Sequence, residues 1–165
     1  MLALATLLFA CGDPERVVVE DGEQREAFCG ANCARAQECG AAGSRDSCQA
    51  YCEPAVPALD RIRPEAVQII ATCIREISCA TFFVENSFAP CWDEAERKLE
   101  PTKSLRRFCQ AWSQRWYECG SSYAIDECES DWLLDTADSL ERMLSCVDVE
   151  CEMLPACVDA ISGSP

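Results

Sequence analysis

The apolar positions of the chain recur at helical spacing. Pro64 is a favourable residue for the first turn of a helix, and apolar residues follow it at intervals of three, four and three. This stripe consists of Val67, Ile70, Ile74 and Ile77. A second stripe, which no proline interrupts, predicts one long helix over residues 126–145; it consists of Leu133, Ala137, Leu140, Leu144 and Val147. The pattern predicts an all-α fold.

One stretch of the pattern occurs twice. Residues 28–52 (FCGANCARAQECGAAGSRDSCQAYC) align without a gap with residues 108–132 (FCQAWSQRWYECGSSYAIDECESDW), at an offset of 80. The identical pairs are Phe28/Phe108, Cys29/Cys109, Ala31/Ala111, Arg35/Arg115, Glu38/Glu118, Cys39/Cys119, Gly40/Gly120, Asp46/Asp126 and Cys48/Cys128. Because each copy of an internal repeat is one structural unit, we expect two modules, over 24–97 and 108–165, with a basic linker over 98–107.

Each copy is predicted to form a helical hairpin. The first helix runs from about Gln24 to Cys39, and Gly40 is placed to end it as a C′ residue. Asp46 is then expected to cap the second helix, as Asp126 does in the other copy. A short third helix is expected to carry the last cysteine of each module.

The chain has 15 cysteines, a density typical of disulfide scaffolds in oxidising compartments. Two cysteines of the first copy are replaced in the second: Cys33 by Ser113 and Cys52 by Trp132. Two cysteines lost together are most simply the halves of one bridge, which predicts a Cys33–Cys52 disulfide with Trp132 filling the space left in the second copy. The alternative is that the two were lost independently.

The other disulfides follow less directly from the spacing. In an antiparallel hairpin, facing residues have a nearly constant sum of residue numbers, which makes Cys39–Cys48 compatible with Cys33–Cys52 and predicts Cys119–Cys128. Six cysteines allow fifteen connectivities. The rise along the predicted helices places Cys146 too far from Cys109 for the two to pair easily. We therefore expect the pairs Cys109–Cys157, Cys146–Cys151, Cys29–Cys91 and Cys73–Cys79.

The N-terminus has the features of an export signal. Residues 2–10 are apolar except for Thr6 and too short to span a bilayer, which predicts a signal peptide over 1–10. Leu8-Phe9-Ala10-Cys11 resembles the bacterial lipobox, whose cysteine becomes the lipidated N-terminus; an ordinary secretory signal is the alternative. Lipidation of Cys11 leaves an even number of cysteines in each module. Residues 11–23 are then a lipidated tether, and Gly12 favours the outer membrane.

Charge and composition limit the function. The net charge of −15 argues against nucleic acid as a partner, because affinity for phosphates comes from Lys and Arg. The chain contains no histidine and no Cys-x-x-Cys, which removes the commonest general base and the usual redox and zinc motifs. We therefore predict no enzymatic activity, no cofactor and no metal site.

Two surfaces are candidates for binding. Trp112, Trp116 and Tyr117 enrich the first helix of the second module in aromatic side chains, which are common at binding hot spots. The alternative is that they fill the core where a bridge is missing. An acidic stripe at helical spacing, Glu127, Asp131, Asp135 and Asp138, is either a cation-binding face or a solvated one.

The lipobox-like Leu8 to Cys11, Cys29-x₃-Cys33 and the repeated Cys-x₉-Cys-x₈-Cys resemble the cysteine-rich predicted lipoproteins of myxobacteria and related deltaproteobacteria. The resemblance implies an all-α, disulfide-rich envelope protein without catalytic activity. We therefore expect a structural or protein-interaction module, anchored by lipid to the outer membrane or cell surface, with an envelope or surface protein as partner. The alternative is a secreted or surface binder of a small ligand or cation.

Overall fold

The computed structural model describes residues 22–41 and 43–162. The predicted signal peptide, the lipidation site Cys11 and most of the tether lie outside the described residues. The α-helices are α1 Glu23–Glu38, α2 Arg45–Ala55, α3 Pro64–Glu76, α4 Cys79–Phe82, α5 Ala89–Lys98, α6 Lys103–Glu118, α7 Ile125–Asp131, α8 Ala137–Leu144 and α9 Leu154–Ser162. Short 3₁₀ segments span Pro57–Arg61, Ser145–Asp148 and Cys151–Met153. The described part of the chain contains no β-strand, so the predicted all-α class is confirmed.

The N-terminal half, up to Lys98, is built around α3. This helix packs against α1 and α5, and α1 also packs against α2. Val67, Ile70 and Ile74 of the predicted stripe are fully buried, while Ile77 is only partly buried because it lies at the C-terminal cap of α3. The period of the apolar residues therefore predicts the buried face of this helix correctly.

The C-terminal half, from Lys103, packs α6 against α7 and α8. The prediction of one long helix over residues 126–145 is wrong, because α7 ends at Asp131 and α8 begins at Ala137. Thr136 starts the new helix: its hydroxyl accepts a hydrogen bond from the Ser139 backbone N–H. The backbone N–H of Thr136 donates a hydrogen bond to the Arg61 carbonyl in the other half. A polar cap and a distant contact thus break a helix that the apolar spacing alone would continue.

The helices α1 and α6 correspond residue for residue at the offset of 80. Each ends in a glycine with positive φ, +82° at Gly40 and +78° at Gly120. In both, the N–H groups of the glycine and of the following residue bond back to carbonyls in the last turn, which is the Schellman arrangement. The predicted C′ position of Gly40 is confirmed, and Gly120 has the same role in α6.

The predicted N-terminal caps of the second helices are wrong. Ser44, not Asp46, caps α2, and its hydroxyl accepts from the Ser47 N–H at 3.2 Å. The equivalent of Ser44 in α7 is Ala124, which has no capping side chain, and Asp126 lies in the first turn there. Both aspartates remain near the positive end of a helix dipole, where a negative charge is favourable.

All fourteen cysteines of the described residues form disulfides, but every predicted pairing is wrong. The bridges are Cys29–Cys52, Cys33–Cys48, Cys39–Cys79, Cys73–Cys91, Cys109–Cys128, Cys119–Cys151 and Cys146–Cys157. The predicted pairs that the structure contradicts are Cys33–Cys52, Cys39–Cys48, Cys119–Cys128, Cys29–Cys91, Cys73–Cys79, Cys109–Cys157 and Cys146–Cys151.

Helix faces explain the pairing in the N-terminal half. Cys29 and Cys33 are four residues apart and share one face of α1, which they turn toward α2. Cys39 lies six residues further on, about 240° around the helix axis. It therefore faces away from α2 and reaches Cys79 at the start of α4.

The C-terminal half pairs the two cysteines whose partners are missing. At the positions of the Cys33–Cys48 and Cys29–Cys52 bridges it has Ser113 and Trp132, each of which removes one sulfur from a different bridge. The two remaining sulfurs, on Cys109 and Cys128, form the diagonal bridge between α6 and α7. The prediction that the two lost cysteines had been partners is therefore wrong.

The two halves meet around residues 61–63 and 132–136, where backbone hydrogen bonds and side-chain contacts join them. Ile62 and Asp135 form an antiparallel bridge, and the Arg63 N–H donates to the Leu134 carbonyl at 2.7 Å. No disulfide of the described residues joins the halves. Of the predicted linker, residues 103–107 belong to α6, so only residues 99–102 connect α5 to α6.

Candidate functional site: an aromatic groove

A shallow groove opens in the C-terminal half and is lined mainly by aromatic side chains. Its volume is about 260 Å³, and its lining residues are Trp112, Trp116, Tyr123, Trp132, Pro155 and Val158. Ligand pockets commonly range from about 300 to 1,000 Å³. The groove therefore suits one small chemical group rather than a large molecule.

Four segments place these side chains. Trp112 and Trp116 are one turn apart on α6, and Tyr123 lies in the turn between α6 and α7. Trp132 ends α7 as its C-terminal cap. The fourth segment is α9, which the Cys146–Cys157 bridge fixes to the 3₁₀ turn Ser145–Asp148. The groove is thus assembled on disulfide-bridged elements.

The aromatic rings contact one another in a chain. Trp112 stacks on Phe108 with ring centroids 5.4 Å apart, and Trp132 meets Phe108 edge to face at 5.9 Å. Trp116 stands at 75° to Trp112, with 6.1 Å between centroids, and Tyr123 follows at 6.5 Å from Trp116. Neighbouring walls of the groove are therefore steeply inclined to each other, and the groove presents both ring faces and ring edges.

The polar groups of the lining side chains are the Tyr123 hydroxyl and the indole N–H groups. The Tyr123 hydroxyl donates a hydrogen bond of 2.6 Å to Asp131 Oδ2. Burial raises the pKa of the Tyr123 phenol, and the charges of Asp131 and Glu127 raise it further, so the phenol stays protonated at neutral pH. The indole Nε1 of Trp116 is buried and has no hydrogen-bond partner among the described residues.

The predicted aromatic surface is divided between three environments. Trp112 is buried in the core with 3 % of its surface exposed, as expected of core filling. Trp116 lines the groove and is half-buried. Tyr117 is 76 % exposed and lies outside the groove lining. Trp132 does pack against the core, as its replacement of Cys52 indicated.

Sequence reasoning missed Tyr123 and did not place Trp132 in a site. The alignment of the two copies contains the signal: Trp112, Trp116, Tyr123 and Trp132 stand opposite Asn32, Ala36, Gly43 and Cys52. Each aromatic lining residue thus replaces a smaller residue of the other copy. The spatial convergence itself depends on the turn after α6 and could not be read from one helix.

The predicted acidic stripe is not continuous, because the helix that would carry it ends at Asp131. Asp135 is 95 % buried and is paired with Arg61 at 3.3 Å and with the Ser139 hydroxyl at 3.0 Å. Burial raises the pKa of Asp135, although Arg61 and Ser139 act to lower it. Across residues 22–41 and 43–162, no group of three His, Cys, Asp or Glu side chains is arranged to hold a metal ion.

Two features bear on where the protein resides. Seven disulfides in this part of the chain indicate an oxidising, extracytoplasmic environment. None of the described helices combines the length and the apolar character that a bilayer-spanning helix needs.

Comparison of the chain with protein-family models, with curated proteins and with solved structures found no match.

Proposed function

We propose that the protein is a non-enzymatic module of the bacterial cell envelope, anchored to the outer membrane or cell surface by lipid on Cys11. The observation that carries the proposal is the use of cysteine. Every described cysteine is consumed in a bridge, and Cys11, the only other one, follows Leu8-Phe9-Ala10 in a lipobox-like sequence. An exported cysteine without a partner calls for a separate role, and acylation supplies one.

Two ionisable groups with raised pKa values, Asp135 and Tyr123, support a role without catalysis. Asp135, whose pKa is raised, is committed to Arg61 and Ser139 at the contact between the halves. Tyr123 is committed to Asp131. These groups have structural partners, and the Ser139 hydroxyl that donates to Asp135 is itself buried, with 3 % of the residue exposed, so it is closed to a substrate. Such structural pairings suit a stable scaffold that presents its surface to an envelope or surface protein.

Membrane fractionation of cells that express the protein from its own locus tests the anchor. Wild-type protein is expected in the membrane fraction and should be released only by detergent. Cys11→Ala removes the acylated sulfur and should move the exported protein to the soluble fraction, whereas Gly12→Ala keeps the sulfur and should remain with the membranes. Wild-type protein in the soluble fraction, or Cys11→Ala protein still bound to membranes, would contradict the proposal.

A second candidate function is the binding of a small ligand through the aromatic groove. The observation that favours it is the half-exposed Trp116 and Tyr123, which core filling does not require. Cyclohexanol is a small apolar probe, and saturation-transfer NMR can detect its contact with the protein. We expect a transfer signal that Trp116→Ala reduces and that Tyr117→Ala leaves unchanged. Equal signals from the two variants would count against the groove as a binding site.

A further inference from the structure

We infer that the aromatic groove binds a quaternary ammonium group, such as the trimethylammonium end of choline or of a choline-bearing lipid. The inference rests on the second candidate function and names its ligand class. It is carried by three observations: the replacement of small residues by aromatic ones around the groove, the acidic surroundings of these rings, and the shortage of hydrogen-bond acceptors among the lining side chains.

The aromatic lining exceeds what core filling needs. Trp112 and Trp132 fill the space beside Phe108, where the other half has its bridges. Trp116 and Tyr123 add ring surface that stays half-exposed. The Trp116 indole also buries an N–H without a hydrogen bond, a cost that an aliphatic side chain of similar size would avoid. The ring itself is therefore the useful part of this side chain.

The surroundings of the rings favour a cation. The chain carries a net charge of −15, and Asp131 and Glu127 stand close enough to Tyr123 to raise its pKa. None of the described residues that line the groove is a Lys or an Arg. The nearby Arg115 is engaged by Glu118 and by the Val149 carbonyl. Electron-rich ring faces beside carboxylates attract a cation by its charge.

One ring of the groove already has a cation against it. The guanidinium of Arg61 lies 5.9 Å from the centroid of the Trp132 ring. This contact is within the range of cation–π pairs, about 6 Å from the ring centroid. The exposed surfaces of Trp116 and Tyr123 have no such cation partner among the described contacts and form the free part of the groove.

The shortage of hydrogen-bond acceptors selects the type of cation. The Tyr123 hydroxyl donates to Asp131, and its oxygen is the single acceptor among the lining side chains, since their indole groups are donors only. A primary ammonium would bring three N–H groups into this lining and lose their bonds to water. A trimethylammonium group has no N–H to satisfy, and its methyl groups present an apolar surface to the rings. Its size also suits a cavity of about 260 Å³.

Choline and its uncharged carbon isostere, 3,3-dimethylbutan-1-ol, test the inference on the wild-type protein. The two compounds have the same shape, so any difference in affinity reports the charge. We expect choline to bind at least about tenfold more tightly in a calorimetric or NMR titration, since several rings act on one desolvated cation. Equal affinity would overturn the ammonium inference but leave an apolar binding groove. Saturable binding of neither compound would overturn both.

Matched variants locate the binding. Trp116→Leu and Tyr123→Leu keep apolar volume but remove a ring, and each should weaken choline binding by about two- to thirtyfold. Tyr117→Leu removes a neighbouring ring outside the groove and should leave the affinity unchanged. Thermal unfolding of each variant shows whether it is folded. An equal loss in Tyr117→Leu, or no loss in either folded groove variant, would overturn the proposed location.

The same chemistry is available from a soluble compound or from a lipid headgroup. Sedimentation of the Cys11→Ala protein with phosphatidylcholine vesicles separates the two sources, because this variant lacks the proposed acyl anchor. Pelleting that free choline reverses would support a lipid headgroup. Protein that stays in the supernatant but binds choline would support a soluble ligand. Pelleting that choline does not affect would contradict use of the groove.

Discussion

At the residue scale, two buried serine hydroxyls of the C-terminal half differ in whether they have a hydrogen-bond partner. Ser113 stands where the other copy has Cys33, and its hydroxyl is buried without a hydrogen-bond partner among the described residues. Ser139 also has a buried hydroxyl, but it donates to Asp135. The two serines lie in helices and differ in whether the hydroxyl is paired. They form a natural comparison for the cost of an unsatisfied group.

Replacement of each serine by alanine should shift stability in opposite directions. Ser113→Ala is expected to raise the free energy of unfolding by up to about 1 kcal/mol, since it removes a desolvated and unpaired hydroxyl. Ser139→Ala removes a paired hydroxyl and should lower it by about 1 kcal/mol. Urea denaturation of the oxidised protein measures both. A destabilised Ser113→Ala would show that its hydroxyl has a partner.

Asp135 should give the protein a recognisable pH dependence. Its pKa is raised by burial, so its contribution to stability is present in acid and is lost as the pH rises through the pKa of the folded state. Compared with Asp135→Asn, the wild-type protein should become relatively more stable as the pH is lowered from 7 toward about 4. Thermal unfolding of both proteins across this range gives the difference. The opposite slope would mean that the attraction of Arg61 outweighs burial.

At the element scale, the C-terminal ends of α1 and α6 require a glycine, whereas the glycine inside α1 can be replaced. Gly40 has φ of +82°, whereas Gly30 lies within α1, where an added Cβ would meet only Arg45 at an ordinary 3.7 Å. Gly40→Ala should cost about 1–2 kcal/mol of stability. Gly30→Ala should instead add about 0.5–1 kcal/mol, because alanine loses less entropy in a helix. Denaturation of the two variants checks the contrast, and equal effects would contradict the assigned conformations.

What the sequence predicts at this scale depends on how local the cause is. The buried face of α3 and the C′ position of Gly40 follow from residues within one or two turns, and these predictions are confirmed. The start of α8 depends on the Thr136 cap and on its hydrogen bond to the carbonyl of Arg61, more than seventy residues away. Disulfide pairing depends on helix faces, because Cys29 and Cys33 lie on one face of α1 and Cys39 lies on another. Attention to that face would have favoured pairing Cys29 and Cys33 with Cys48 and Cys52.

At the scale of the whole molecule, Arg63 joins the two halves. Its side chain is 11 % exposed, and Nη1 donates to the Leu133 carbonyl at 3.2 Å and to the Glu100 carbonyl at 3.1 Å. Arg63→Ala would leave these carbonyls without their donor and should lower the free energy of unfolding by about 1–3 kcal/mol. Arg106→Ala is a control, because its pairing with Glu129 at 4.0 Å is exposed and should contribute less than about 0.5 kcal/mol. Similar losses in the two variants would contradict a specific role for Arg63.

Every cysteine within residues 29–157 is bridged, and Cys109 pairs with Cys128 across α6 and α7. The most direct test is a tryptic peptide map of the unreduced protein after free thiols have been blocked. We predict that peptide 116–142 is joined both to peptide 108–115, through Cys109–Cys128, and to the peptide that begins at residue 143, through Cys119–Cys151. A peptide 116–142 closed on itself by Cys119–Cys128, or blocked thiols within residues 29–157, would contradict the account.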